Sequence, residues 1–451
     1  MTGKELFARL DTPKGSDILT KLYGIAEVRA ARQRYSSLIE GMLLDKPRNF
    51  PQREFPEAQG DLRVFTAAGR TELGGNHTDH NRGKVLAASI QMDSVAIVAQ
   101  RKDKRVFFRS TGYPDADVDL SDLSLRKEEI GTTEALIRGI AAEFEARGTP
   151  VRGFSANAAS TVLRGSGLSS SASVEVLVGK IFDCLYGEEK RSALEIAQIG
   201  QKAENTYFGK PCGLMDQTAC ASGGAVAIDF EDIRAPKVSR IDFDLSAVDY
   251  SLCVVDTRGS HADLTPDYAA IPKEMKDVAS FFAKTALRDI DEEMLKTNLA
   301  QLRKTVGDRA VLRAFHFFNE NRRVDGMLSA LERMKNTLEA GVKQAALGSF
   351  LDLVNKSGDS SWELLQNIYS PRNSGEQGVA LALALTREFL EKSCGGRGAC
   401  RVHGGGFAGT IQVYLPTEGL RNYRRQMELY FGNRSLTELR IRPIGAAELE
   451  F

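Results

Sequence analysis

Apolar side chains along this chain repeat with a helical period in some stretches and cluster as β-branched and aromatic runs in others. Over residues 1–45 they recur every three to four positions among many charged residues, which predicts a helical N-terminal extension. From residue 62 the sequence pattern changes to short runs of valine, isoleucine, phenylalanine and threonine. These runs predict strands at 62–66, 95–98 and 105–109.

The rest of the chain mixes the same two patterns. A helix is predicted at 133–147, and an almost wholly helical, charged segment extends from 269 to 345. Further strands are predicted at 224–230, 250–256, 410–415 and 438–442. The mixture predicts an α+β chain of two lobes. A polar stretch at 235–248 sets the predicted boundary, so that residues 46–245 form one domain and 246–451 the other.

Residues 165–173 read G-S-G-L-S-S-S-A-S and continue directly into an apolar-periodic segment, which predicts a loop followed by an amphipathic helix. The first turn of a helix presents unpaired N–H groups and the positive end of the helix dipole, and both attract anions. Glycines allow close approach of a phosphate, and serine hydroxyls can bond its oxygens or ligate Mg²⁺. No lysine follows the glycines, so this is not a Walker P-loop. A flexible linker is the alternative, but a linker would not continue into a periodic helix.

Composition narrows the class of protein. A length of 451 residues exceeds one ordinary core, which favours two domains. Basic and acidic residues number 60 each, and this balance argues against nucleic acid or an anionic membrane as the main partner. The polar, charged first residues predict no signal peptide, and no apolar run is long enough for a membrane span. Six cysteines without a C-x-x-C pair predict free thiols in the cytoplasm and give little support to a zinc site.

Four more segments carry distinctive motifs. They read G-R-T-E-L-G-G-N-H-T-D-H at 69–80, Q-K-A-E at 201–204, C-G-L-M-D-Q at 212–217 and R-V-H-G-G-G-F-A-G at 401–409. The first resembles the galactokinase signature, usually written G-R-V-N-L-I-G-E-H-T-D-Y. The others, with the G-L-S-S-S-A-S loop, resemble motifs of the galactokinases and of the wider GHMP kinase superfamily. The resemblance implies the two-lobed GHMP kinase fold, with the active site in the cleft between an N-terminal and a C-terminal kinase domain.

By this resemblance the chain is expected to transfer the γ-phosphate of ATP to the anomeric hydroxyl of D-galactose, giving galactose 1-phosphate. Asp216 is the implied base and Arg70 its catalytic neighbour, which would hold the carboxylate ionised. Because the transition state of phosphoryl transfer is loose, Asp216 is expected to orient the hydroxyl more than to deprotonate it. Ser171 and Glu204 are the implied Mg²⁺ ligands. The residues expected at the ATP phosphates are Gly165, Ser166, Gly167, Leu168, Ser169, Ser170, Ser171 and Ala172.

The same resemblance assigns the sugar-binding residues, which are Asn76, His77, Asp79, Gly213 and Tyr268. Asn76 stands where galactokinases carry a glutamate that accepts a hydrogen bond from the 6-hydroxyl. The change removes a negative charge and adds two donors, so galacturonate is the alternative acceptor, as in plant galacturonate kinases that also lack this glutamate. N-acetylgalactosamine is another alternative. Residues 353–360 depart from the S-H-x-S-L of the family, which again leaves the sugar open.

Two interpretations from other classes compete with the kinase hypothesis. Residues 404–409 also spell G-x-G-x-x-G, but a dinucleotide site needs a helix after this motif, and residues 410–415 predict a strand. A non-catalytic sugar and ATP sensor is the second alternative. The complete serine loop, together with Arg70, Glu204 and Asp216, favours an enzyme. The oligomeric state stays open, and a monomer is compatible with the sequence.

Overall fold

Two β-sheets with helices packed against them organise the chain. The computed structural model describes residues 1–43, 61–163, 167–259 and 264–451. The strands are β1 (Leu62–Gly74), β2 (Lys84–Gln100), β3 (Arg105–Ser110), β4 (Ala116–Asp119), β5 (Phe154–Ser160), β6 (Ala225–Asp229), β7 (Lys237–Ile241), β8 (Tyr250–Asp256), β9 (Ala399–His403), β10 (Thr410–Pro416), β11 (Leu436–Leu439) and β12 (Ala447–Leu449).

Fourteen α-helices are described, of which three precede β1 and six follow one another between β8 and β9. They are α1 (Gly3–Leu10), α2 (Pro13–Tyr23), α3 (Val28–Leu43), α4 (Thr133–Ala146), α5 (Ser170–Tyr186), α6 (Ala193–Ala203), α7 (Met215–Ser222), α8 (Thr265–Phe281), α9 (Glu292–Thr297), α10 (Leu299–Val306), α11 (Asp308–Lys335), α12 (Ala340–Ser360), α13 (Gly378–Cys394) and α14 (Leu420–Phe431). In the described part of the chain, no helix is both long and apolar enough to cross a membrane.

The first sheet has the order β12-β1-β2-β5-β3-β4, and β2 also pairs with β6, which pairs with β7. Strand β2 is 17 residues long, so it can pair with β6 over one part of its length and with β5 over another. Its register with β1 shifts at Ala68/Gly69 and at Glu72/Gly74. Such irregularities change the direction in which side chains point. Here they lie in the segment that begins the 69–80 motif. The second sheet has the order β11-β8-β10-β9.

Helices cover the first sheet on both faces. Helices α4 to α7 bury their apolar faces on one side, around residues such as Phe144, Phe154 and Phe182. The N-terminal helices α1 to α3 cover the other side of β1 and β2 with a separate core. That core adjoins buried Asp93, whose carboxylate receives hydrogen bonds from Arg34 of α3 and from Arg442 near the C-terminus. The N-terminal extension is therefore an integral layer of the sheet.

Helices α11 and α12 connect the two sheets. Their buried side chains pack against β1 and β2 on one side and against β8 to β10 on the other. Helices α13 and α14 complete the core around the second sheet. The helical segment from α8 to the start of α11 forms a further core that includes Phe407 of the 401–409 motif. The motifs on the two sheets thus meet across a shared set of helices.

Most of the predicted elements are confirmed, including the helices at 133–147 and across 269–345 and the strands at 224–230 and 250–256. The helical extension is confirmed over 3–43, and its last two predicted residues lie outside the described ranges. The strand predicted at 438–442 is wrong in its bounds, because the chain leaves the second sheet after Leu439 and Ile441 makes an isolated bridge to Ile90. All six cysteines are free thiols.

The proposed domain division stays a prediction. The pairing of β7 with the first sheet and of β8 with the second agrees with a change of lobe near residue 245. The chain then returns to the first sheet, where β12 pairs antiparallel with β1 and Leu449 lies opposite Val64. The last strand of the sequence therefore belongs to the sheet that the first strand begins.

Candidate active site

The serine loop leads into α5 as the sequence predicts. Gly165 and Ser166 lie outside the described residues; Gly167 and Ser169 both adopt left-handed backbone, with φ of 69° and 61°. Ser170, Ser171 and Ala172 form the first turn of α5. The carbonyl of buried Leu168 accepts a hydrogen bond of 3.1 Å from the Arg70 N–H, which ties the loop to β1. The helix start is thereby held against the 69–80 motif.

The Asp216 carboxylate accepts hydrogen bonds from two segments, the 69–80 motif and the serine loop. The Nε of Arg70 donates to Oδ1 of Asp216 over 2.8 Å, and the hydroxyl of Ser169 donates to Oδ2 over 2.6 Å. Burial raises the pKa of Asp216, but the Arg70 guanidinium and the Ser169 hydroxyl outweigh this effect and hold the pKa below its usual range. The side chain of Asp216 remains 34% exposed while that of Arg70 is 6% exposed. An ionised carboxylate is therefore partly exposed to solvent and is backed by a buried cation.

Glu204 lies beside Ser171 at the same helix start. It begins a π-helical turn, Glu204–Phe208, that ends α6, and such turns recur at functional sites. Its Oε1 accepts from the Ser171 hydroxyl over 3.3 Å and from the Lys210 ammonium over 3.2 Å. Its Oε2 accepts from the Gln217 amide over 2.9 Å, and that amide also donates to Glu175. The carboxylate is thus fixed in place by three neighbouring groups.

Asp79 and Gly213 lie in direct contact. A Cβ atom built on Gly213 would come within 1.8 Å of Oδ2 of Asp79, so only glycine allows this approach. Asp79 is 8% exposed, and its Oδ1 accepts a hydrogen bond of 2.9 Å from the His80 N–H. Since Gly213 precedes Asp216 by three positions, this contact brings the 69–80 motif against the loop that carries Asp216.

The glycine-rich segment 404–406 receives three of the predicted sugar-binding side chains. Asn76 donates to the Gly404 carbonyl over 2.9 Å, His77 to the Gly405 carbonyl over 3.0 Å and Tyr268 to the Gly406 carbonyl over 3.1 Å. Because a carbonyl only accepts, Nε2 of His77 carries the proton. Burial, reinforced by His80, lowers the pKa of His77 to about 3, so its imidazole is neutral.

Asn76 lies at the centre of a buried polar network. The side chain is 1% exposed, and its amide nitrogen also lies 3.2 and 3.3 Å from the two carboxylate oxygens of Glu72. Its Oδ1 accepts over 3.0 Å from Asn367, whose own Oδ1 has no hydrogen-bond partner among the described residues. Glu72 forms a buried ion pair with Arg401 of the glycine-rich motif. Both amide hydrogens and the Oδ1 of Asn76 are therefore bonded within the protein.

Helix α11 supports this network from behind, which sequence reasoning did not foresee. Glu320 accepts a hydrogen bond of 3.1 Å from the Gly75 N–H, and His316 donates over 2.9 Å to the Asn76 carbonyl. Ser357 and Ser360 of α12 bond Glu320 and His316 in turn. The segment 353–360, which departs from the family sequence, thus contacts the layer directly behind the 69–80 motif.

The predicted residues that the structure describes fall into one connected region. Seven further residues belong to this region that the sequence did not predict. They are Glu72, Glu175, Lys210, Gln217, His316, Glu320 and Asn367. Glu72 and Gln217 lie inside the motifs at 69–80 and 212–217, and Lys210 lies two residues before the second, so position in the sequence was a usable signal for these three. For the other four, the pattern carried none. Strand β10 follows the glycine-rich motif, which confirms that it does not begin a dinucleotide-binding helix.

Comparison with known protein families matches two of these regions. Residues 135–224 match the GHMP kinases N terminal domain, and residues 52–100 match the galactokinase galactose-binding signature. Among solved structures, Lactococcus lactis galactokinase complexed with galactose has a TM-score of 0.71 at 23% identity, covering 88% of this chain and 97% of that one. Methanococcus jannaschii mevalonate kinase has a TM-score of 0.57 at 14% identity, with 85% and 99% covered. These structures show the same fold.

Curated relatives extend the match along the chain. A galactokinase of Streptomyces coelicolor is 33% identical over 277 residues, which is 60% of this chain and 69% of the relative. A galactokinase of Actinobacillus pleuropneumoniae is 30% identical over 384 residues, which is 84% of this chain and 92% of the relative. One of Mannheimia succiniciproducens is 28% identical, with the same two shares covered. The chain therefore belongs to the galactokinase family of the GHMP kinases.

Proposed function

We propose that this protein transfers the γ-phosphate of ATP to the anomeric hydroxyl of D-galactose, giving ADP and galactose 1-phosphate. One observation carries the proposal: the carboxylate of Asp216 is held on one oxygen by Arg70 and on the other by Ser169 of the phosphate loop. An acceptor-orienting carboxylate, a buried cation and a phosphate-binding turn are the parts that phosphoryl transfer needs in one place.

In the proposed reaction the anomeric oxygen attacks the γ-phosphorus, the bond from that phosphorus to the β-phosphate oxygen breaks, and the hydroxyl proton passes to the Asp216 carboxylate as the new bond forms. Asp216 accepts a hydrogen bond from the hydroxyl and aims its lone pair, which matters more than full deprotonation in a loose transition state. Its lowered pKa suits this role, because the carboxylate stays ionised at neutral pH. Arg70 stabilises negative charge as it redistributes between donor and acceptor.

The ATP phosphates are proposed to bind at the start of α5, at the loop 165–172. Ser171 and Glu204 would hold Mg²⁺, since their oxygens lie 3.3 Å apart. In the described residues no group of three or more His, Cys, Asp or Glu is arranged for a metal. One carboxylate and one hydroxyl nevertheless fit Mg²⁺, which retains waters and takes further oxygens from substrate phosphates. When bound, Mg²⁺ would offset the charge of those phosphates.

The sugar hydroxyls are proposed to contact His77, Asp79, Gly213 and Tyr268, with buried Asn76 supporting them from within the protein. Asp79 offers carboxylate oxygens, and neutral His77, with its Nε2 proton on Gly405, offers Nδ1 as an acceptor. Asn76 acts by holding the segment that carries His77 against the glycine loop, since its own amide donates to Glu72 and Gly404.

Galacturonate is the second candidate acceptor, motivated by the amide at Asn76. A carboxylate at C6 would need free donors, and the hydrogens of this amide are already bonded to Glu72 and to the Gly404 carbonyl. This favours galactose. The test is ADP release with Mg-ATP and each sugar in parallel. Faster turnover of galactose supports the proposal, preference for galacturonate replaces the acceptor, and binding without turnover supports the sensor alternative.

A further inference from the structure

The phosphate loop has no lysine of its own, yet the structure brings one to it from another segment. Lys210 follows the π-helical turn after α6, and its Nζ lies 3.2 Å from Oε1 of Glu204. The hydroxyl of Ser171, at the start of α5, bonds the same oxygen over 3.3 Å. The ammonium and the Ser171 hydroxyl therefore bond the same oxygen atom of Glu204. Lys210 thus lies beside the helix turn at which the ATP phosphates are proposed to bind.

The exposures of the two partners differ sharply. The side chain of Lys210 is 61% exposed, whereas that of Glu204 is 2% exposed. Glu204 is already held from the inside by Gln217 and from the side by Ser171. The ammonium lies on the solvent side of the carboxylate, because its own side chain is mostly exposed. A flexible four-carbon stem lets such an ammonium move between neighbouring oxygens without a change of backbone.

The charges around the site call for a second cation. Arg70 is bonded to Asp216, so its charge is largely balanced in the free protein. Beside the Glu204 carboxylate, the Lys210 ammonium is charged at neutral pH, as an ordinary lysine is. Without Mg²⁺, a polyphosphate that approaches Glu204 and Asp216 would be repelled unless a cation beyond Arg70 faced it.

We propose that Lys210 binds the terminal phosphates of ATP and so supplies the cation that the phosphate loop lacks. The inference rests on the proposed kinase function. In the free protein Lys210 pairs with Glu204, and with nucleotide bound its ammonium bonds phosphate oxygens beside Ser171. A lysine serves as a mobile point charge for phosphate in this way, in contrast with the fixed fork of an arginine.

The test is calorimetric binding of ATP and of AMP in EDTA, with Lys210→Met compared with wild type. Loss of a charge-assisted hydrogen bond is expected to weaken ATP binding about ten- to a hundredfold, and AMP, with its single phosphate, much less. Lys210→Arg should recover most of the ATP affinity. Lys202→Met is the matched control, because Lys202 has a side chain 59% exposed and pairs with Glu143 instead.

A second comparison separates phosphate binding from simple neutralisation of Glu204. If Lys210 only offsets that charge, the double variant Lys210→Met/Glu204→Gln should bind ATP as well as Glu204→Gln alone. We expect the double variant to bind about tenfold more weakly than Glu204→Gln, and equal affinities would overturn the proposal. Wild-type protein that binds no ATP even with Mg²⁺ present would instead overturn the proposed function, leaving the two failures distinguishable.

Discussion

The amide nitrogen of Asn76 lies 3.2 Å and 3.3 Å from the two carboxylate oxygens of Glu72, in a buried pair that joins β1 to the turn after it. The galactokinase signature has Asn and Glu at these positions, so this chain carries the same two groups exchanged. The carboxylate has moved to the position that Arg401 neutralises. The exchange preserves an amide–carboxylate contact, and the departure at Asn76 is therefore matched by one at Glu72.

This pairing predicts that Asn76→Glu alone will damage the fold. Two carboxylates would then share a buried site where both cannot readily ionise, and we expect the unfolding free energy at pH 7 to fall by about 3 kcal/mol. The exchanged variant Glu72→Asn/Asn76→Glu should recover more than half of that loss. Urea unfolding of the three proteins measures this, and no recovery in the double variant would contradict the pairing. Sugar preference is best compared in the double variant, where the network is intact.

Asp216→Asn should separate chemistry from nucleotide binding. Loss of the orienting carboxylate is expected to lower kcat about 10²–10⁴-fold, while ATP binding is retained because the amide carries no charge to repel phosphate. ADP release and ATP calorimetry on the same samples give both values. Asp103→Asn, at a pair with Arg101 in the turn between β2 and β3, is the control. Near-normal turnover of Asp216→Asn would refute its proposed role.

Glu320 should make stability depend on acid. The group is buried and burial raises its pKa, but Arg323, His316 and the Ser357 hydroxyl lower it to about 2. A carboxyl whose folded pKa is lowered stabilises the protein above its ordinary pKa of 4.5, and that contribution disappears as the pH falls toward 2. Glu320→Gln should therefore cost about 3 kcal/mol at pH 7 and progressively less below pH 4.5. Unfolding at several pH values tests this, with exposed Glu332→Gln on the same helix as the control. An equal deficit at neutral pH and in acid would contradict the assignment.

Gly213→Ala should impair sugar binding without unfolding the protein. A methyl group there would lie 1.8 Å from Oδ2 of Asp79, so either Asp79 or the loop that carries Asp216 must shift. A displacement of about 1 Å at such a site commonly costs about a hundredfold in rate, and we expect a loss of this order in kcat/KM for the sugar. Gly348→Ala, on α12 with open space around its Cβ, should be neutral or slightly stabilising. Unchanged kinetics in Gly213→Ala would show that the contact is not needed.

Local pattern accounts for the elements that are predicted well. Helix α5 follows its glycine–serine loop because apolar periodicity and the preceding turn residues act over a few positions. The alternation of residues in strand β10 is clear enough to exclude a dinucleotide motif on the sequence alone. The strand predicted at 438–442 is misplaced because edge pairing depends on a partner, and its partner β8 lies about 180 residues away.

The sequence by itself determined the α+β class, the order of the motifs and the residue types available for phosphoryl transfer, because these depend on local periodicity and on chemistry at short spacing. Only the tertiary structure decided where the groups point. Asp93 forms ion pairs with Arg34 and Arg442, which come from opposite ends of the chain. The Asn76 amide donates to Glu72, and the Lys210 ammonium pairs with Glu204. Each of these contacts pairs a charge or a directional hydrogen bond with a partner that becomes a neighbour only when the sheets and helices have packed, and no local pattern encodes that direction.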